Sequence, residues 1–113
     1  MKVYIDAAYG VHADEVHADG NSHTGSSVVV GDVGPVHCKS VKQQIVSKSS
    51  TEAELVALSN SASQALFMRN FLMAQGYNCG LVIVFQDNMS CMTLIERGRS
   101  GAERSRHIDL RYY

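Results

Sequence analysis

The sequence predicts an α/β domain: an antiparallel three-strand meander plus a parallel strand in one mixed sheet, with flanking helices. Three observations carry this. Short β-prone runs near the N-terminus are separated by Gly-rich and polar turns. A long stretch of helical periodicity follows. After it comes a nearly all-apolar run, the pattern of a strand buried on both faces and parallel to its neighbour. With 113 residues the chain forms a single domain, 1–113, with no room for a second core.

Residues 2–8 read as the first strand, because Val3, Tyr4 and Ile5 favour a pleated, half-buried surface. Residues 9–26 read as a loop dense in Gly, His, Asp, Asn and Ser, with a tandem Val-His-Ala-Asp at 11–14 and 16–19. Residues 27–31 make a second strand and 36–41 a third, joined by a turn at 32–35 that contains Gly34 and Pro35. A helix is predicted over 51–76, with Leu55, Leu58, Ala62 and Leu66 at spacings of three and four. Both Ser49-x-x-Glu52 and Thr51-x-x-Glu54 fit a capping box, and Gly76 ends the helix. Phe67, Met68, Phe71 and Met73 fall at helical spacing and read as core rather than as a cofactor box. Residues 81–86 form the apolar strand. A short helix is expected at 88–97 with Asn88 as cap, then a Gly/Ser linker at 98–102, then a further helix from 104 to 113.

Composition narrows the class. At 45% hydrophobic and 19% charged, with nine Gly and one Pro, the chain is neither collagen-like nor disordered. No apolar run approaches the roughly 20 residues of a membrane helix, and the N-terminus has no signal-peptide pattern, so no membrane partner is expected. Cys38, Cys79 and Cys91 are odd in number and widely spaced. They read as buried thiols of an intracellular protein rather than as a disulfide framework. Residues 1–96 carry five Lys/Arg against nine Asp/Glu, whereas 97–113 carry five Arg against two acids. A basic tail on an acidic body suits local contact with a polyanion. Neither a P-loop nor a G-x-G-x-x-G pattern is present.

Three acidic residues stand where chemistry is expected. Asp6 ends the first strand and Asp87 ends the apolar strand. If those strands are parallel neighbours, both side chains emerge at the carboxyl edge, where open α/β sheets place ligands. Glu54, expected in the first turn of the long helix, adds a third carboxylate. Glu52 competes, but the two lie about 200° apart around a helix, and Glu54 sits beside the apolar stripe. Clustered carboxylates repel one another unless hard cations neutralise them, and Mg²⁺ takes oxygen ligands while leaving room for phosphate oxygens. The same residues also serve as ordinary turn and cap residues, so the pattern alone leaves both readings open.

Longer motifs carry a resemblance. The segments 4–10 (YIDAAYG), 22–25 (SHTG), 39–44 (KSVKQQ), 49–58 (SSTEAELVAL), 86–90 (QDNMS) and 106–112 (RHIDLRY) resemble, in order and over nearly the whole chain, the ribonuclease H domain of copia-type LTR retrotransposon Gag-Pol polyproteins. The resemblance implies a ribonuclease H-like fold. It also implies two-metal hydrolysis of the RNA strand of RNA–DNA hybrids during reverse transcription. Asp6, Glu54 and Asp87 would be the catalytic, metal-binding carboxylates, with Mg²⁺ as cofactor and Mn²⁺ as substitute. Its partners would be the hybrid and the reverse transcriptase domain of the same polyprotein, inside a cytoplasmic virus-like particle. The alternative is a non-catalytic ribonuclease H-like module that binds hybrid or mediates assembly.

The chain departs from the family pattern at its end. The family's fourth aspartate follows a fifth strand and opens a last helix. Tyr113 is expected to fall before both, so the chain reads as C-terminally truncated relative to the family. The alternative is that Asp109, which belongs to the 106–112 motif, substitutes for the fourth aspartate. Loss of the fifth strand would leave an open sheet edge, through which a second copy could pair. His107 reads as structural. His12, His17 and His23, with Asp14 and Asp19, read as a solvated hairpin rather than a metal site. Lys39, Lys42, Lys48 and the arginines from Arg97 to Arg111 are candidate phosphate contacts. Gln43, Gln44, Ser47 and Asn88 are candidate sugar or base-edge contacts.

Overall fold

A computed structural model describes residues 1–10, 20–32, 34–98 and 108–112. The strands are β1 (Lys2–Ala8), β2 (His23–Val29), β3 (Pro35–Lys42), β4 (Val82–Gln86) and β5 (Ile108–Tyr112). The helices are α1 (Ser50–Ala74) and α2 (Met89–Gly98). The sheet runs β3-β2-β1-β4-β5. The first three strands are antiparallel, β4 is parallel to β1, and β5 is parallel to β4. The expected mixed sheet is therefore present, with five strands among the described residues.

That count corrects the expectation for the chain's end. Residues 108–112 are a strand, not part of a helix, and the fifth strand lies within the chain. Ile-Asp-Leu-Arg-Tyr alternates apolar and polar residues, the period of a half-buried strand. Ile108 and Leu110 pack against the core, opposite Val82 and Val84. The edge beside β4, through which a second copy was expected to pair, is filled by β5. On the other edge strand, β3 carries Pro35, Lys39 and Lys42, and its ladder with β2 shifts register at Val28/Val29, features that discourage pairing with another chain.

Strand β2 begins at His23, well inside the segment expected to be loop. Its first half, His-Thr-Gly-Ser-Ser, is polar and gives no hydrophobic signal. Pairing with β1 and β3 on both sides holds it in the sheet. The remaining expectations for 11–19 and 99–107, including the tandem repeat, Arg99, Arg104, Arg106 and His107, lie outside the described residues.

Helix α1 starts as its cap predicts. Ser49 is the N-cap, accepting from the Glu52 N–H at 3.1 Å, while Glu52 Oε2 accepts from the Lys48 N–H at 2.7 Å. It ends in a Schellman arrangement: Tyr77 N–H donates to Leu72 O and Gly76 N–H to Met73 O. Gly76, at φ 95°, supplies the left-handed residue that this closure needs.

The face of α1 that meets the sheet is not the leucine stripe. Ala53, Glu54, Ala57, Ser61, Ala65 and Arg69 are buried, and Leu58, Leu66 and Met68 flank them at the core's margin. Small side chains along the centre let the helix axis approach the sheet closely, over Val3, Ile5, Val28, Val82 and Val84. Phe67, Phe71 and Met73 are exposed, against the expectation that they are core. Arg69 crosses beneath the helix to donate from Nε to Gly80 O at 2.7 Å, tying the approach to β4 onto α1. Strand β4 is buried on one face only. Ile83 and Phe85 remain partly exposed on the other, where Phe85 stacks on Tyr4 with ring centroids 4.8 Å apart. Of the thiols, Cys91 is buried as expected, whereas Cys38 is exposed on β3.

Candidate metal centre and relatives

Parallel pairing of β1 with β4 sends both strands' carboxyl ends to one edge. Asp6 lies near the end of β1, and Asp87 directly follows β4; both are exposed. Glu54 is the fifth residue of α1, just past the first turn where it was expected, and only 5% exposed. One carboxylate oxygen from each of Asp6, Glu54 and Asp87 lies within 4.8 Å of the others. The three residues singled out from strand ends and helix start thus converge. Glu52 does not join them, because it serves the cap instead.

Backbone and side-chain bonds fix this geometry. Glu54 Oε1 accepts from the Ala7 N–H at 3.1 Å, which clamps the helix to the residue after Asp6. Upstream, Gln43 donates from Nε2 to Thr24 Oγ1 and to Ala53 O, both at 2.9 Å, and its own carbonyl accepts from Asn21 Nδ2 at 2.6 Å. Gln43 and Ser47 are both buried in this network. They are therefore not available as sugar or base-edge contacts; they lock the hairpin end to the start of α1. Asn88 caps α2, accepting from the Cys91 N–H at 2.9 Å. Gln44, Lys39, Lys42 and Lys48 are exposed near this end of β3 and the approach to α1, as are Arg97 and Arg111 elsewhere on the surface.

Sequence reasoning missed Gln86. It is fully buried, and its Oε1 accepts from the Asp87 and Asn88 N–H groups at 2.9 and 3.1 Å. A signal existed: Val82, Val84 and Gln86 share one strand face, so the period of two places this amide inward. The Ala7 N–H clamp has no sequence signal.

Burial raises the pKa of Glu54, and the charges of Asp87 and Asp6 raise it further; the Ala7 N–H and the Gln86 amide act in the opposite direction. Glu54 Oε2 is buried without a hydrogen-bond partner. The donor set is all oxygen and is crowded with negative charge, which fits a hard divalent cation. Burial, with the nearby charge of Glu54, pushes the Cys91 thiol up to about 11, so it stays protonated and apolar in character.

Asp109 does not substitute for a further ligand. It pairs with Arg111 at 2.9 Å and lies opposite Ile83, four residues before Asp87 on the neighbouring strand. At about 3.3 Å per residue that is on the order of 13 Å along the sheet.

Comparison with solved structures decides the fold. LC11-RNase H1 in complex with an RNA/DNA hybrid superposes with a TM-score of 0.65, at 14% identity, over 99% of this chain and 83% of that one. This is the ribonuclease H fold. A second LC11-RNase H1 structure, of the protein isolated from compost, agrees at the same TM-score and 13% identity, over 99% of this chain and 82% of that one. In sequence, the domain is 30% identical over 80 residues to the retrovirus-related Pol polyprotein from transposon TNT 1-94 of Nicotiana tabacum. That match takes in 71% of this chain, which spans only 6% of the polyprotein's length. No family model matches the chain. A chain with this fold thus has a retrotransposon polyprotein among its sequence relatives. Among the described residues, no helix is long and apolar enough to cross a membrane.

Proposed function

We propose that this is the ribonuclease H domain of a copia-type retrotransposon polyprotein, which hydrolyses the RNA strand of RNA–DNA hybrids during reverse transcription. The observation that carries the reading is the convergence of Asp6, Glu54 and Asp87 at the carboxyl edge of β1 and β4. These residues would hold Mg²⁺, or Mn²⁺ in its place. When bound, the cation pair supplies activation of a water and stabilisation of the leaving oxygen. The chain's own part is to fix the three carboxylates, with Glu54 anchored on Ala7 N–H and buried, and Asp6 and Asp87 open to an incoming phosphodiester. The exposed Lys39, Lys42 and Lys48 suit contacts with the hybrid's backbone, which carry no base readout. In this reading the setting is a neighbouring reverse transcriptase domain of the same polyprotein inside a cytoplasmic virus-like particle; the likeness to a Pol polyprotein supports the polyprotein context.

The test is cleavage of an end-labelled RNA–DNA hybrid in Mg²⁺ or Mn²⁺, with RNA–RNA duplex as control. The reading predicts cuts in the RNA strand of the hybrid alone, abolished by Asp6→Asn and by Asp87→Asn. Cleavage that survives both substitutions contradicts it, as does equal cleavage of the RNA–RNA duplex. A folded chain that binds hybrid without cutting it would favour the non-catalytic module.

A further inference from the structure

Gln86 sits at the junction of the site with no assigned role. Its orientation is not free. Two backbone N–H groups, those of Asp87 and Asn88, donate to its Oε1, so that end of the amide must be the oxygen. The donor end, Nε2, is therefore turned away from them. It is buried and unpartnered, as is Glu54 Oε2, and the Gln86 amide lies beside the Glu54 carboxylate. One orphan is a donor and the other an acceptor, so a bond between them would satisfy both. Leaving both unsatisfied in the interior is costly.

We propose that Gln86 is the positioning residue of this centre, a brace that holds the Asp87 backbone with its oxygen and orients the Glu54 carboxylate with its nitrogen. The inference rests on the reading of Asp6, Glu54 and Asp87 as a divalent-cation site. Through Gln86, the end of β4 and the start of α1 are set against each other, while the Ala7 N–H does the same for β1 and α1. Each of the three elements that carry a carboxylate is thereby linked to Glu54. Gln86 touches no substrate and carries no charge; it acts through its two neighbours.

The experiment is a Mg²⁺ titration of the whole chain followed by NMR at the Gln86 side-chain amide and the Glu54 side-chain carboxyl carbon. The proposal expects both signals to move with one midpoint, because the brace and the carboxylate settle together. A Glu54 signal that moves while the Gln86 amide stays in place overturns the brace and leaves the metal site standing. If neither moves, the metal site itself fails and the brace falls with it. A variant gives a second measure. Gln86→Met should raise the Mg²⁺ concentration needed for hybrid cleavage by about tenfold or more without changing KM for the hybrid. Gly76→Ala, which strains the closure at the opposite end of α1 from Glu54, should leave the Mg²⁺ requirement unchanged. An equal rise in both variants, or none in Gln86→Met, overturns the proposal. If Gln86→Met does not fold, the titration of the unmodified chain decides.

Discussion

Burial holds Glu54 above the usual carboxylate range, and Asp87 and Asp6 add to the effect. The linkage follows from that direction. Between the ordinary carboxylate value and the raised one, the folded state binds a proton that the unfolded state has released. Stability without metal therefore falls as pH rises through that window and stays lower above it. Thermal melting of the metal-free domain should show a lower midpoint at neutral than at mildly acid pH. Glu54→Gln should flatten this dependence. Mg²⁺ should raise the midpoint more at neutral pH, where the carboxylate is ionised, and should have no such effect on Glu54→Gln. A midpoint that rises steadily with pH would show that Glu54 is not the group in question. At this scale the placement of Asp6, Glu54 and Asp87 is legible, because strand ends and a helix start are places where a sequence announces position, while the same positions also suit ordinary turn and cap residues. The roles of Gln43 and Ser47 were not, since a polar side chain in a loop looks the same whether it faces solvent or a buried amide network.

At the scale of the element, α1 separates pattern from packing. Leu55, Leu58, Ala62 and Leu66 suggest a stripe, yet the helix rests on Ala53, Ala57, Ser61 and Ala65. Alanine contributes little to a hydrophobic pattern, but it is the residue that lets a helix approach a sheet. Ala57 is fully buried, and Ala57→Leu should therefore overpack this contact and lower stability by about 1–3 kcal/mol in urea denaturation. Phe67, 66% exposed, should tolerate Phe67→Ser within about 0.5 kcal/mol. The reverse ranking would mean that the leucine and phenylalanine faces are the buried ones. Strand β5 taught the same lesson in another form. Residues 108–112 alternate as a strand does, but the motif they belong to suggested a helix. Pairing with β4 and burial of Ile108 and Leu110 decide the outcome. Strand β2 began earlier than its apolar residues indicate because its pairing, not its composition, holds it.

For the molecule as a whole, topology converts separated motifs into one site. Residues 6, 54 and 87 are distant in the chain, and only a parallel β1–β4 pair with α1 crossing over it brings them within 4.8 Å. The order of elements made that topology readable, since a helix between strands three and four demands a crossover and a parallel partner. The sheet edge was not readable in the same way, because the number of strands depended on five residues at the chain's end. A likeness to LC11-RNase H1 structures at 14% and 13% identity fixes the architecture, while the proposed metal chemistry rests on this chain's own carboxylates. The most direct measurement is calorimetric titration of Mn²⁺ into the metal-free domain and into Asp6→Asn and Asp87→Asn. The account predicts saturable binding to the unmodified chain that either substitution weakens at least about tenfold. Binding that is unchanged in both variants, or absent from the folded unmodified chain, would contradict it.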